Sequence, residues 1–147
     1  MAYLLAALLV RPGDELCLLM NNTITKDLQS ENTFVIMTTL TLLRYFLSDS
    51  LVVNLIPLLR KLLSHPTSIL RRKAYLALYN INRNFPTQFP DLKTLAVDAL
   101  SDQESPVKFA GLTMIYPLVI QNPHQNKDIV KKLVDILWQI LDHKFPK

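Results

Sequence analysis

Glycine and cysteine are scarce in this sequence. Of its 147 residues, 2 are glycine and 1 is cysteine. Tight β-hairpin turns and phosphate-binding loops both need glycine at fixed positions, so the sequence disfavours a hairpin-rich β fold and a glycine-rich nucleotide loop. The single thiol, Cys17, excludes an internal disulfide framework and a multi-cysteine zinc site. These shortages favour a fold made of helices.

Neither a strong charge nor a long uninterrupted apolar run is present. The 16 basic and 12 acidic residues give a net charge of +4, which is too small for a dedicated nucleic-acid binder, so we expect no nucleic-acid partner. Charged residues interrupt each apolar stretch before it reaches the roughly 20 residues of a transmembrane helix. Since 50% of the residues are hydrophobic, we expect an ordered, soluble protein with a sizeable core. The apolar residues 1–10 lack the basic flank of a signal peptide.

One local pattern recurs along the chain. A leucine ends an apolar run and is followed by a polar turn at Leu28, Leu63, Leu100 and Leu141, with spacings of 35, 37 and 41 residues. The pattern predicts turns near residues 29–32, 64–66, 101–104 and 142–147. A period close to 40 is typical of HEAT and armadillo repeats, in which pairs of helices stack.

The segments that follow the first three leucines share a second pattern. Apolar or small residues recur 7, 11, 14, 15 and 18 positions after each leucine, and these offsets lie on one face of a helix. The smallest residues stand at offset +11, where a neighbouring helix can approach closely: Thr39, Ala74 and Gly111. Alanine at position 111 should then be tolerated, or even favourable, because of its helix propensity. The other members of this stripe are Val35, Leu70, Val107, Leu42, Ala77, Met114, Leu43, Leu78, Ile115, Phe46, Ile81 and Leu118.

Helix boundaries follow from the apolar runs and their flanking residues. We expect first helices of each pair over residues 14–28, 49–63, 90–100 and 127–141, and second helices over 32–47, 67–84 and 105–121. Asp14 and Asp49 are the expected N-caps of two of them. Pro57 and Pro117 fall inside helices and predict a kink at each. Residues 1–10 are expected to form the last helix of a preceding pair.

These patterns predict an all-α fold, a right-handed α-solenoid of HEAT/armadillo-type repeats. About three and a half repeats form a single segment over residues 1–147. An up-down helical bundle is the alternative, but a closed bundle does not need to reuse one face pattern every 35 to 41 residues. Because both ends of the chain are apolar, we expect a fragment of a longer superhelix.

Three stretches of the sequence resemble the N-terminal trunk of the large subunits of heterotetrameric adaptor protein complexes, the adaptins. They are YLLA from residue 3, LMNNTITKDLQS from residue 19 and RRKAYLALY from residue 71. The resemblance covers nearly the whole chain, and KDLQS and RRKA are most similar to the epsilon type of the fourth complex. The sequence departs from the family at Ala2, where adaptins have glycine.

The resemblance implies a structural, non-enzymatic subunit of a vesicle coat that acts in intracellular protein transport. It implies small, medium and beta-type large subunits as partners, with a small GTPase and acidic membrane lipids assisting recruitment. The expected location is cytoplasmic, on the periphery of Golgi, trans-Golgi or endosomal membranes. The alternative is a generic HEAT/armadillo scaffold or a karyopherin-like arm. That arm would need a row of tryptophans and asparagines, and the sequence has a single tryptophan, Trp138.

A cluster of basic residues is the candidate binding site: Arg60, Lys61, Arg71, Arg72 and Lys73. These side chains could contact acidic lipids or a partner. A structural role is the alternative, in which Arg71 contacts acidic residues of the adjacent unit's turn. Lys108 occupies the same offset as Arg71 in the next repeat, which favours that alternative.

No residue pattern indicates a catalytic, cofactor or metal site. The histidines, His65, His124 and His143, lie in three different turns without a second ligand at metal-binding spacing. Cys17 is expected to be a buried structural thiol. Around Trp138, the last helix is expected to expose an apolar face made with Ile136, Leu137, Ile140 and Leu141.

Overall fold

The computed structural model describes residues 15–87, 91–121, 124 and 127–144, and all regular structure within them is helical. The helices are α1 (Glu15–Leu28), α2 (Thr33–Leu42), α3 (Asp49–Leu62), α4 (Ser68–Asn84), α5 (Leu92–Leu100), α6 (Ser105–Gln121) and α7 (Lys127–Lys144), with a 3-10 turn at Leu43–Tyr45. The predicted all-α class is confirmed, and the handedness of the solenoid stays a prediction. The predicted helix over 1–10, the Asp14 cap and the Cys17 side chain lie outside what is described.

The chain divides into two compact units after residue 90. In the first unit, α1 packs on α2 and α3 packs on α4, and a short turn joins the helices of each pair. In addition, α1 contacts α3 and α2 contacts α4. The first helices therefore form one layer and the second helices form another, as in stacked helical repeats.

The second unit contains α5, α6 and α7. Its main contact is between α5 and α6, and α6 also packs on α7. Within this unit α5 and α6 are again joined by a short turn, residues 101–104.

The predicted stripe of the second helices faces the core. At offsets +11 and +15 the residue is buried in all three repeats. At +7 and +14 the residue is buried in α4 and α6 and half-buried in α2. The stripe is less enclosed at +18, where Phe46 and Leu118 are half-buried and Ile81 is fully buried. Complete burial of a leucine or isoleucine side chain contributes about 1.5–3 kcal/mol, so this stripe is a major source of stability.

Thr39 is the polar member of the buried stripe, with 1% of its surface exposed. Its Oγ1 donates a hydrogen bond to the carbonyl oxygen of Val35 at 3.0 Å. Because the hydroxyl finds its partner inside its own helix, it can be buried without an unsatisfied polar atom.

Two predicted boundaries in the first unit are wrong. The α-helical part of α2 ends at Leu42, whereas the sequence predicted helix to residue 47. The last turn tightens into the 3-10 turn, where the Phe46 N–H donates to the Leu43 carbonyl at 3.0 Å. The N-cap of α3 is Ser48, not Asp49. The backbone of Ser48 is extended, as is typical of N-cap residues, whereas Asp49 is already helical. Asp49 is instead in the first turn, where a carboxylate favours the helix dipole.

The last helix is longer than predicted. It continues to Lys144, beyond the expected end at residue 141. No glycine or proline stands between Leu141 and Lys144 to stop it, and the next proline is Pro146. Pro57 and Pro117 do lie inside α3 and α6, and the kinks expected there stay predictions.

The turns between paired helices share a hydrogen bond that the sequence analysis missed. Two residues after the marker leucine, a side chain accepts a hydrogen bond from the backbone N–H two positions further on. The acceptors are Ser30 Oγ (from Asn32 N–H, 3.1 Å), His65 Nδ1 (from Thr67 N–H, 3.0 Å) and Asp102 Oδ1 (from Glu104 N–H, 2.9 Å). Three chemically different side chains fill one role, so residue identity alone does not reveal the repeat.

The turn bond predicts a difference between two substitutions at His65. His65→Ala removes the acceptor for the Thr67 N–H and should lower the free energy of unfolding by about 0.5–1.5 kcal/mol. His65→Asn keeps a side-chain acceptor at this position and should lower the free energy of unfolding by a smaller amount. Urea denaturation measures both, with His124→Ala, at an exposed histidine, as the control. Equal losses for alanine and asparagine would contradict the assigned bond.

Helix α6 approaches the backbone of α5 at Gly111. A Cβ atom there would lie 3.0 Å from the Ala96 carbonyl oxygen, 3.0 Å from the Leu100 nitrogen and 3.1 Å from the Ala99 Cβ. The predicted close approach is confirmed. The contact predicts that alanine is disfavoured, contrary to the expectation from helix propensity, because the two nearest atoms belong to the backbone of a packed helix and cannot move without moving α5.

Substitutions at Gly111 test this contact. Gly111→Ala should lower the melting temperature although alanine has a helix propensity about 1 kcal/mol better than glycine. Gly111→Leu should cost about 1–3 kcal/mol more through overpacking. Thr113→Ala, at an exposed position of the same helix, is the matched control and should change little. Thermal unfolding followed by circular dichroism decides, and an alanine variant as stable as the parent would refute the contact.

Candidate functional site

The five basic residues of the predicted site lie at one end of the α3–α4 pair. Arg60 and Lys61 are in the last turn of α3, and Arg71, Arg72 and Lys73 are in the first two turns of α4. Arg60, Lys61 and Arg72 are exposed, whereas Arg71 and Lys73 are half-buried. Three side chains of the cluster are therefore exposed and two are partly covered by the protein.

Arg71 supports the turn of its own helix pair. Its Nη1 donates to the carbonyl oxygens of His65 at 2.9 Å and Pro66 at 3.0 Å. These two contacts, both to carbonyl oxygens of the turn, support a structural role for Arg71. A guanidinium carries several donors in a fixed fork, which suits it to hold two successive carbonyls.

Lys73 connects two helix pairs. Its Nζ donates to Thr41 Oγ1 at 2.7 Å, which links α4 to α2. Thr41 Oγ1 in turn donates to the carbonyl oxygen of Met37 at 2.7 Å. This ammonium group is used to tie the second helices together.

Arg60 and Lys61 stand beside the carbonyl end of α3. Positive charge in the last turn of a helix is favourable because the helix dipole is negative there. Both side chains are exposed.

The second helices also expose large apolar side chains, which the sequence analysis missed. Phe34 is 68% exposed and Ile69 is 51% exposed, and both stand at offset +6, next to the buried stripe. Tyr45 is exposed as well, and the Arg44 guanidinium lies 4.6 Å from the centroid of its ring. The sequence signal that could have predicted these exposed positions is the shared offset of Phe34 and Ile69 from the marker leucines. In the second unit, α6 exposes Phe109, Tyr116 and Ile120.

The last helix exposes apolar side chains, and Trp138 is the member of the expected face that the structure shows exposed. Trp138 is 62% exposed, and Val130 and Val134 are exposed at four-residue spacing on the same side of α7. Of the other residues named for this face, Ile136 is half-buried, and the side chains of Leu137, Ile140 and Leu141 lie outside the described part.

Among the residues that the structure describes, no group of three or more His, Cys, Asp or Glu could hold a metal ion. His65 is engaged in its turn and His124 is exposed. None of the described helices is both long and apolar enough to cross a bilayer.

Comparison with known proteins gives one consistent family. The family described as the Adaptin N terminal region matches residues 1–146. The chain is 33% identical over 144 residues to AP-4 complex subunit epsilon-1 of Mus musculus, which covers 98% of this chain. It is 29% identical over 145 residues to AP-4 complex subunit epsilon of Arabidopsis thaliana, which covers 99% of this chain. Coatomer subunit beta of Pongo abelii is 40% identical over 79 residues, or 54% of this chain.

The matches cover only part of each relative. The chain spans 13% of the mouse protein, 16% of the Arabidopsis protein and 8% of the coatomer subunit. No solved structure matches the chain. The resemblance in YLLA, KDLQS and RRKA is confirmed by a match that extends over almost every residue, and the chain belongs to the adaptin N-terminal region family.

Proposed function

We propose that this chain acts as a structural, non-enzymatic part of a vesicle-coat adaptor complex in intracellular protein transport. The observation that carries the proposal is the family match over residues 1–146, together with relatives whose names are subunits of AP-4 and coatomer. The stacked helix pairs of the first unit support it, because helical repeats offer extended surfaces to protein partners.

The partners in this proposal are a small, a medium and a beta-type large subunit. Exposed apolar side chains on α7, such as Trp138, support a role in protein assembly, because contiguous exposed apolar surface marks interaction sites. A karyopherin-like scaffold remains the second candidate, but it would use rows of tryptophan, and Trp138 is the single one in the sequence.

Recruitment to membranes forms the second part of the proposal. A small GTPase and acidic lipids would place the assembled complex on the cytoplasmic side of Golgi, trans-Golgi or endosomal membranes. Arg60 and Lys61, exposed at the end of α3, are candidates for lipid contact, whereas Arg71 and Lys73 are half-buried and donate hydrogen bonds within the protein. Near an acidic surface each basic residue contributes about 1 kcal/mol.

Affinity purification of the full-length protein from its own cells tests the proposal. We expect a small, a medium and a beta-type subunit to be recovered in amounts equal to the tagged protein. Tagging the small subunit and recovering this protein is the reciprocal control. Recovery of nuclear-transport cargo without the three subunits would overturn the proposal in favour of the scaffold.

A further inference from the structure

Charge is distributed unevenly between the two helix layers of the first unit. The second-helix layer, made of α2, the 3-10 turn and α4, contains five basic residues and no acidic residue: Arg44, Arg71, Arg72, Lys73 and Arg83. The first helices mix both signs, with Glu15, Lys26 and Asp27 in α1 and Asp49, Arg60 and Lys61 in α3. The net charge of the whole chain is modest, but every charged residue of the second-helix layer is basic.

Exposed apolar side chains lie on the same layer. Along α2 and the 3-10 turn, Phe34, Thr41 and Tyr45 are exposed and fall at helical spacing on one side. Along α4, Ile69, Arg72 and Arg83 are exposed. The Lys73–Thr41 hydrogen bond ties α4 to α2, so the two rows belong to one surface. We call these six exposed residues the α2/α4 face.

The composition of the α2/α4 face suits a protein better than a lipid bilayer. Lipid recognition by charge uses dense clusters of about 4–8 basic residues. Here the two exposed arginines of α4 are about 16 Å apart along the helix, and Arg71 and Lys73 donate to protein acceptors. Arginine pairs with carboxylates through two parallel hydrogen bonds, and tyrosine and arginine are enriched at protein interfaces.

We propose that the α2/α4 face binds an acidic amphipathic helix of a protein partner. Its apolar side chains would cover Phe34 and Ile69, and its carboxylates would pair with Arg72 and Arg83. The face is long enough for about three turns of such a helix, and charge complementarity selects acidic over basic sequences. The inference does not rest on the proposed coat function, because any helical-repeat protein with this face would bind the same class of ligand.

A defined peptide tests the inference. The probe is a fluorescein-labelled helical peptide with leucine on one face and glutamate on the other, and its counterpart carries lysine in place of glutamate. Fluorescence anisotropy should show that the chain binds the glutamate peptide and not the lysine peptide. Phe34→Ala and Arg72→Glu should each weaken binding by about tenfold, as central interface residues do. Leu19→Ala and Lys26→Glu change an exposed apolar and an exposed basic residue of α1 and should leave binding unchanged.

Several outcomes would overturn the inference, provided that circular dichroism shows each variant to be folded. Failure to bind the glutamate peptide would do so directly. Equal weakening by Lys26→Glu would show attraction by overall charge and not by this face. Binding to phosphatidylserine vesicles that depends on Phe34 and Arg72, without peptide binding, would make a membrane the ligand. Self-association that Phe34→Ala abolishes would make the ligand a second copy of the chain.

Discussion

The structure depends on the burial of one face of each second helix against the helices beside it. Leu70, Leu78, Met114 and Ile115 have no exposed surface in this arrangement. With a single cysteine, the chain has no internal disulfide to supplement this burial, and truncating one such side chain to alanine costs about 2–5 kcal/mol. The small residues at offset +11 make the burial possible, since Gly111 lets α6 meet the backbone of α5.

Several threonine hydroxyls and turn side chains find their hydrogen-bond partners within four residues of the chain. Threonine hydroxyls donate to the carbonyl oxygen four residues earlier at Thr23, Thr25, Thr38, Thr39, Thr41 and Thr113. Side chains in the turns likewise accept hydrogen bonds from backbone N–H groups two residues further along the chain. A threonine whose hydroxyl is already bonded adds a methyl group to its surroundings.

The sequence predicted the features that repeat, because the same pattern of apolar and small residues occurs in each of the three second helices. The helix pairs, the buried offsets from Leu70 to Ile115 and the close approach at Gly111 all follow from this repetition. Features that depend on distant neighbours could not be predicted. Lys73 bonds to a residue 32 positions away, and Arg71 selects carbonyl oxygens whose position depends on the fold of the turn. The exposure of Phe34 likewise depends on which neighbouring helices cover it.

Hydrogen–deuterium exchange of the intact chain tests most directly whether one repeated stripe holds the fold together. The slowest exchange should occur in one segment of each second helix, residues 36–42, 70–81 and 107–115, because these helices carry the buried stripe. Residues 63–66 and 101–103, in the turns, should exchange much faster. Protection spread evenly along the chain, or turns protected as strongly as the second helices, would contradict the account.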